Sequence, residues 1–144
     1  MLSVSCKASI KAVIYLGSQL PKGQRADIKT IAISIHENEH TVGKILQRLV
    51  KAKIINSLKG PTGGFFISET QKKLPLMSVV RAIDGNDVFI QCGLGFERCS
   101  DSHPCPFHKH YKKVRGYFKE MSESNTIEDL CNDLTAGNAF LSKV

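Results

Sequence analysis

Two short apolar stripes at helical spacing, split by a tight polar turn and followed at once by a glycine-rich hairpin signal, constrain this chain more than any other feature. In "DIKTIAISI", Asp27 suits a helix N-cap, and Ile28, Ile31, Ala32 and Ile35 recur at i, i+3, i+4 and i+7 on one helical face. The polar "HENEH" interrupts that pattern, and in "HTVGKILQRLVKAKII" the residues Val42, Ile45, Leu46 and Leu49 restart it. Two short helices joined so tightly predict a helix-turn-helix. Directly behind them, β-rich segments 54–58 and 65–67 flank "KGPTGG", whose Gly and Pro supply turn geometry. A hairpin in that place reads as a wing. An earlier helix, with Ile10, Val13, Ile14 and Gly17 on one face, ends at Pro21 and Gly23. The expected fold class is mainly α: a winged helix-turn-helix with a two-stranded β wing and a long C-terminal dimerisation helix.

Charge points to a polyanionic partner for the same segment. Residues 1–73 hold 12 Lys and Arg against 4 Asp and Glu, whereas residues 74–144 hold 8 against 9, so all of the net +7 lies in the first half. A solvated basic face is the alternative reading. With the apolar stripe inward, His40, Thr41, Lys44, Arg48 and Lys51 point outward from the second helix. Its N-terminal residues would sit deepest in a major groove, with Arg48 and Lys51 meeting phosphates. Lys29 belongs with these DNA-contact candidates, as do Lys59 and Thr62 at the wing tip. Gly43 costs about 1 kcal/mol of helix propensity, which close approach to DNA or another helix would explain. As a nucleotide loop "GPTGG" fails, because no Lys-Ser/Thr pair or helix follows it. The N-terminus carries lysines among its apolar residues and lacks a cleavage pattern, and no stretch reaches the roughly 20 apolar residues of a membrane span. A cytoplasmic protein, with no membrane partner, is expected.

The second half is dominated by "CGLGFERCSDSHPCPFH". Its spacing is Cys92-x6-Cys99-x5-Cys105-x2-His108, and the chain's other cysteines are Cys6 and Cys131, expected to be packed thiols. An odd number of cysteines in a reducing compartment argues against a disulfide framework. Three soft thiolate donors suit zinc or iron–sulfur, with an unoccupied thiol sensor as a further option. Pro106 suits the first position of a helix with Cys105 as its N-cap, which would aim free N–H groups at bound thiolates. His103 and His110 read as solvated neighbours. Phe107, Tyr111, Val114, Phe118 and Met121 then step by 4, 3, 4 and 3, a coiled-coil-like seam on a helix over about 106–123. "TIEDLCNDL" predicts a terminal helix capped by Thr126, with the last residues fraying. Asp84, Asp87, Glu97 and Asp101 form no carboxylate pair at helical spacing, and no Ser/His/Asp arrangement stands out. An enzyme, and a small-molecule substrate, are not expected.

The basic helical start, "LQRLVKAKII", "KGPTGGF", "LMSVVRAIDG" and the three-cysteine loop, in this order, resemble the Rrf-two family of bacterial transcription regulators, the IscR- and NsrR-like repressors. The resemblance covers nearly the whole chain. It implies a homodimer that binds a double-stranded DNA operator through winged helices. It also implies an iron–sulfur cluster, 2Fe–2S ahead of 4Fe–4S, sensing redox state, nitric oxide or cluster supply. Carried onto this sequence, its ligands are Cys92, Cys99, Cys105 and His108, with zinc as the alternative metal. The first gap is one residue longer than in the family pattern. Lys7 stands where the NsrR-like branch supplies an acidic ligand, which favours His108. Residues 1–73 would form the DNA-binding region, and residues 74–144 would carry the cluster loop (about 90–108) and the dimerisation helix in one continuous domain. The runner-up reading is a cytoplasmic thiol-redox or zinc-binding protein without sequence-specific DNA binding.

Overall fold

Residues 1–141 are described by the computed structural model, so the end of the tail expected to fray (142–144) lies outside the described residues. Helix α1 (Val4–Ser18) is capped by Ser3, whose hydroxyl accepts from the Cys6 amide. It buries Cys6, Ala8, Ser9, Ala12, Val13, Tyr15 and Leu16, a wider arc than the stripe expected from sequence. Ile10, Ile14 and Gly17 are only half-buried. The stripe was too narrow because α1 is surrounded: α2, α3, α5 and α8 all pack on it.

Helix α2 (Ile28–Ile35) starts as expected, with Asp27 accepting from the Thr30 amide at 2.8 Å. It ends at His36, whose left-handed φ of 56° turns the chain sharply. Helix α3 (Glu39–Lys51) begins inside "HENEH" and not after it, because Asn38 accepts from the His40 amide at 2.8 Å and caps the helix there. Val42, Ile45, Leu46 and Leu49 are its buried residues, as the spacing required.

The wing is shorter than its sequence signal. Strands β1 (Asn56–Leu58) and β2 (Gly64–Phe66) pair antiparallel, with Ser57 opposite Phe65. Ile54 and Ile55 were expected in the first strand but are buried in the core ahead of it. Ala26 bridges to Phe65 through two backbone hydrogen bonds of 3.0 and 2.8 Å, tying the wing to the start of α2. Gly63 and Gly64 are required there: a Cβ on Gly63 would lie 2.1 Å from the Leu58 oxygen, and Gly64 holds a φ of +141°.

Helices α4 (Glu69–Lys72), α5 (Leu76–Asp84) and α6 (Asp87–Ile90) follow. The cysteine loop leads into α7 (His108–Ser124), and α8 (Ile127–Thr135) is capped by Thr126 and Asp129 acting reciprocally. Helix α7 begins two residues later than the expected Pro106 start. Cys105 and Pro106 instead form a lead-in turn, in which the His108 amide donates to the Cys105 oxygen at 3.0 Å. Buried side chains from α1, α2, α3, α5 and α8 join in one core, so residues on both sides of position 73 share it. Among the described residues, no helix is long and apolar enough to cross a membrane.

The apolar seam on α7 divides between two faces. Phe118 stacks on Phe89 of α6, ring centroids 5.5 Å apart, and belongs to the protein's own core. Tyr111 is half-buried and, with the stacked Phe107 ring, lies beneath Gly93, where an added Cβ would fall 2.6 Å from both rings. Phe107, Val114, Tyr117 and Met121 remain 43%, 48%, 71% and 43% exposed. With His110 they follow the heptad steps 107, 110, 114, 117 and 121. The exposed seam is therefore rotated from the one the spacing suggested.

Gly43 has room to spare. An added Cβ would make only an ordinary 3.6 Å contact with Ile28, so no close helix approach explains the glycine. Gly43→Ala should raise unfolding stability by up to about 1 kcal/mol in urea titration, the propensity difference between the two residues.

Candidate DNA face and cysteine-loop site

The outward side of α3 and the wing form one basic surface. His40 and Lys44 are exposed along α3, whereas Thr41 is half-buried. Lys29, Lys51 and Lys59 line a groove of about 890 Å³ between the helix-turn-helix and the wing, whose other walls include Gln47, Gly60 and Pro61. Thr62 is exposed at the tip, and its carbonyl accepts from Arg25 at 3.4 Å. Arg25 also lies over the Phe66 ring at 5.5 Å. It thus braces the wing, a role its position in a polar breaker did not reveal. Among the described residues, no carboxylate pairs with Lys29, Lys44, Lys51 or Lys59.

Arg48, expected to meet phosphates, stays exposed, but one of its guanidinium nitrogens is already engaged. Its guanidinium donates to the carbonyls of Ala82 and Ile83, at 3.2 and 2.7 Å. The last carbonyls of α5 have no partners within their own helix and carry the negative end of its dipole, so they attract a cation. Arg48 is a strut between α3 and α5.

The cysteine loop folds its four candidate ligands into two pairs. Cys92 Sγ lies 3.6 Å from Cys105 Sγ, and Cys99 Sγ lies 3.2 Å from His108 Nδ1. The nearby Leu94 and Phe96 amides, then Cys105, hold the Cys92 thiol below its usual range, while the Gly95 amide donates to the Cys92 carbonyl at 3.0 Å. A lowered thiol favours a thiolate. The far nitrogen of His108, Nε2, meets Asp101 Oδ1 at 2.8 Å, and Lys112 Nζ holds both Asp101 oxygens at 2.7 and 2.8 Å. The Lys112 ammonium first, then His108, keeps the Asp101 carboxyl down at about 2. His103 and His110 are exposed. Among the described residues, no three Cys, His, Asp or Glu side chains converge as a ready site for a single metal ion.

The loop's approach is anchored by a residue the sequence did not single out. Arg115, buried on α7, donates to the Gln91 carbonyl immediately before Cys92, lies 5.8 Å from the Tyr111 ring, and leaves its Nε without a partner. Its position between the two faces of the seam was the available signal.

The profile of Rrf2, described as an iron-dependent transcriptional regulator, matches residues 2–133. The chain belongs to the Rrf2 family. An Rrf2-like regulator of Rhodobacter capsulatus is 26% identical over 145 residues, covering 96% of this chain and 95% of the relative. NsrR of Geobacillus kaustophilus is 22% identical over 134 residues, covering 92% and 90%. Among solved structures, CymR, the global cysteine regulator of B. subtilis, aligns with a TM-score of 0.72 at 22% identity, covering 92% of this chain and 96% of that one. T. potens IscR aligns with a TM-score of 0.71 at 18% identity, covering 97% and 92%. The winged-helix architecture and the place of this chain among Rrf2 transcriptional regulators follow.

Within this Rrf2 chain the two remaining thiols are set apart chemically. Burial, then the charge of Asp84, pushes Cys6 up to about 12, and burial pushes Cys131 up to about 11. Both exceed the ordinary 9.0, so their share of stability is complete below that pH and is lost as pH rises through about 11 for Cys131 and about 12 for Cys6. In metal-free native protein at pH 7.5, iodoacetamide should label the half-buried Cys99 and Cys105 first and the buried but lowered Cys92 more slowly, while sparing Cys6 and Cys131 until denaturant is added. Peptide mass mapping reads the result.

Proposed function

We propose that this Rrf2 regulator is a homodimeric, cytoplasmic repressor whose operator binding is modulated by an iron–sulfur cluster held through Cys92, Cys99, Cys105 and His108. The observation that carries the reading is the pairing of the ligands. Two donors bound tetrahedrally to one metal at about 2.3 Å lie roughly 3.7 Å apart. The Cys92–Cys105 separation of 3.6 Å is close to that edge, and the Cys99–His108 separation of 3.2 Å is a little short of it. Two pairs suit two metal centres bridged by sulfide, which favours 2Fe–2S; a lone zinc ion would need all four donors around one point. The lowered Cys92 thiol suits the negative charge such a group brings. When bound, the cluster would supply a reversible one-electron change and a lability toward oxidants or nitric oxide. The chain's own part is to hold the thiolates, orient the imidazole and anchor the loop through Arg115.

DNA contact is assigned to His40, Thr41 and Lys44 on α3, to Lys29 and Lys51 beside the groove, and to Lys59 and Thr62 on the wing. Arg48, exposed on the same surface as Lys44 and Lys51, is assigned a phosphate contact while one of its guanidinium nitrogens holds α5. The homodimer is assigned to the exposed stripe Phe107, Val114, Tyr117 and Met121, since apolar side chains at heptad spacing match a second copy of the same helix. Two-fold symmetry would present two recognition helices to a palindromic operator. A second reading has one observation in its favour: Cys92 and Cys105 lie close enough for a small shift to join them as a disulfide when a peroxide-class oxidant takes two electrons and two protons from the thiols, which would make the metal-free protein a thiol-redox regulator.

Anaerobically purified protein should be coloured, with about two irons and two sulfides per chain; a colourless zinc protein without sulfide would sink the cluster assignment. In operator-binding titrations, Lys44→Ala should cost about 1–3 kcal/mol if Lys44 reads a base edge. Lys59→Ala should flatten the slope of log K against log salt by about one unit, as loss of a phosphate contact requires. Val114→Asp and Tyr117→Asp should yield folded monomers by sedimentation and circular dichroism, whereas Phe118→Asp should impair folding itself.

A further inference from the structure

We propose that Asp101, gripped by Lys112, is a positioning residue that fixes the proton of His108 on Nε2 and so presents the bare Nδ1 to the cluster site. The inference rests on the cluster reading above and adds two residues to it. His108 is nearly enclosed, with a side chain 9% exposed, and each ring nitrogen has one partner: Nδ1 faces Cys99 Sγ at 3.2 Å, and Nε2 faces Asp101 Oδ1 at 2.8 Å. A carboxylate can only accept, and a neutral imidazole carries one N–H, so the proton belongs on Nε2. The lone pair on Nδ1 is then directed at the thiol side, where a soft metal would lie.

Lys112 makes the arrangement specific. It stands one helical turn beyond His108 on α7 and holds both carboxylate oxygens; with side chains 52% and 73% exposed, Lys112 and Asp101 form a solvent-screened pair that biases the carboxylate toward His108 without locking it. Asp101 lies in the arc between Cys99 and Cys105, and the same contact therefore pins that arc to α7. A carboxylate behind a metal-bound imidazole makes it a more electron-rich ligand, and losing such a partner typically weakens metal binding about 10–100-fold.

Nitrogen-15 long-range correlation spectra of the metal-free protein should show His108 as the Nε2–H form; Asp101→Ala should shift it to a mixture of both forms, and Asp101→Glu should restore much of the wild-type pattern. In the anaerobically loaded protein, Asp101→Ala should lose iron to a competing chelator about 10–100-fold more readily and raise the reduction potential. Lys112→Met should speed iron loss by a smaller factor and show no rise in potential, since removing a nearby positive charge lowers it. In a His108→Cys background, Asp101→Ala should change neither property, because the residue acts through the imidazole. Loaded wild type and Asp101→Ala with equal potential and equal iron retention would overturn the inference while leaving the cluster in place. An Asp101→Ala effect that persists undiminished in the His108→Cys background would overturn it too, since the carboxylate would then act on the loop and not on His108. A wild type that takes up neither iron nor sulfide removes the cluster reading and the ligand role together, and the tautomer spectra then separately decide whether Asp101 orients His108.

Discussion

Everything in this molecule is hung on the enclosure of α1. A helix buried on one stripe can be served by one neighbour, but α1 is walled by α2 and α3 on the DNA-binding side and by α5 and α8 on the other. Small residues at Ala8, Ser9 and Ala12 let those helices approach, and Gly17 leaves space where an added Cβ would sit 2.5 Å from Cys131 Sγ. Its N-terminus is fastened as well: Ser3 donates its amide to Asp84 at 2.9 Å, and its hydroxyl bonds the same carboxylate. The winged helix and the cysteine-loop half thus share a core and are not two bodies joined by a linker.

That shared core gives the recognition helix a direct mechanical neighbour. Arg48 on α3 donates to the final carbonyls of α5, and α5 runs through Gly85 and α6 to Gln91 and Cys92. At the far end Arg115 on α7 takes the Gln91 carbonyl. The segment between α3 and the first candidate ligand is therefore held at both ends by guanidinium contacts, exposed and part-buried at Arg48 and part-buried at Arg115. A change in the loop therefore has a hydrogen-bonded route toward α3, which a ligand at one site needs if it is to bias another.

Local patterns in the chain foretold the winged helix well because its signals are local. Asp27 caps its helix by its own side chain, Val42 to Leu49 keep a strict 3.6-residue period, and Gly63 and Gly64 sit where only glycine fits. The cysteine loop was legible as chemistry, since three thiols and an imidazole in one short stretch limit what can bind there. Its pairing was not legible. Which sulfur stands beside which depends on how the loop closes over Tyr111 and on the Asp101–Lys112 contact, and neither has a sequence period.

What the amino-acid sequence determined by itself is the set of elements, the basic half and the donor inventory, because capping, periodicity and residue chemistry act within a few positions. Tertiary structure alone decided the orientation of each face. Phe118 and Val114 read as neighbours on one seam, yet Phe118 is taken by Phe89 and Val114 is left to solvent. Arg48 and Lys44 read as equivalent outward cations, yet the C-terminus of α5 claims Arg48 only. In both cases the outcome rests on a partner far away in the chain, and a helical period specifies which residues share a face without specifying what that face will meet.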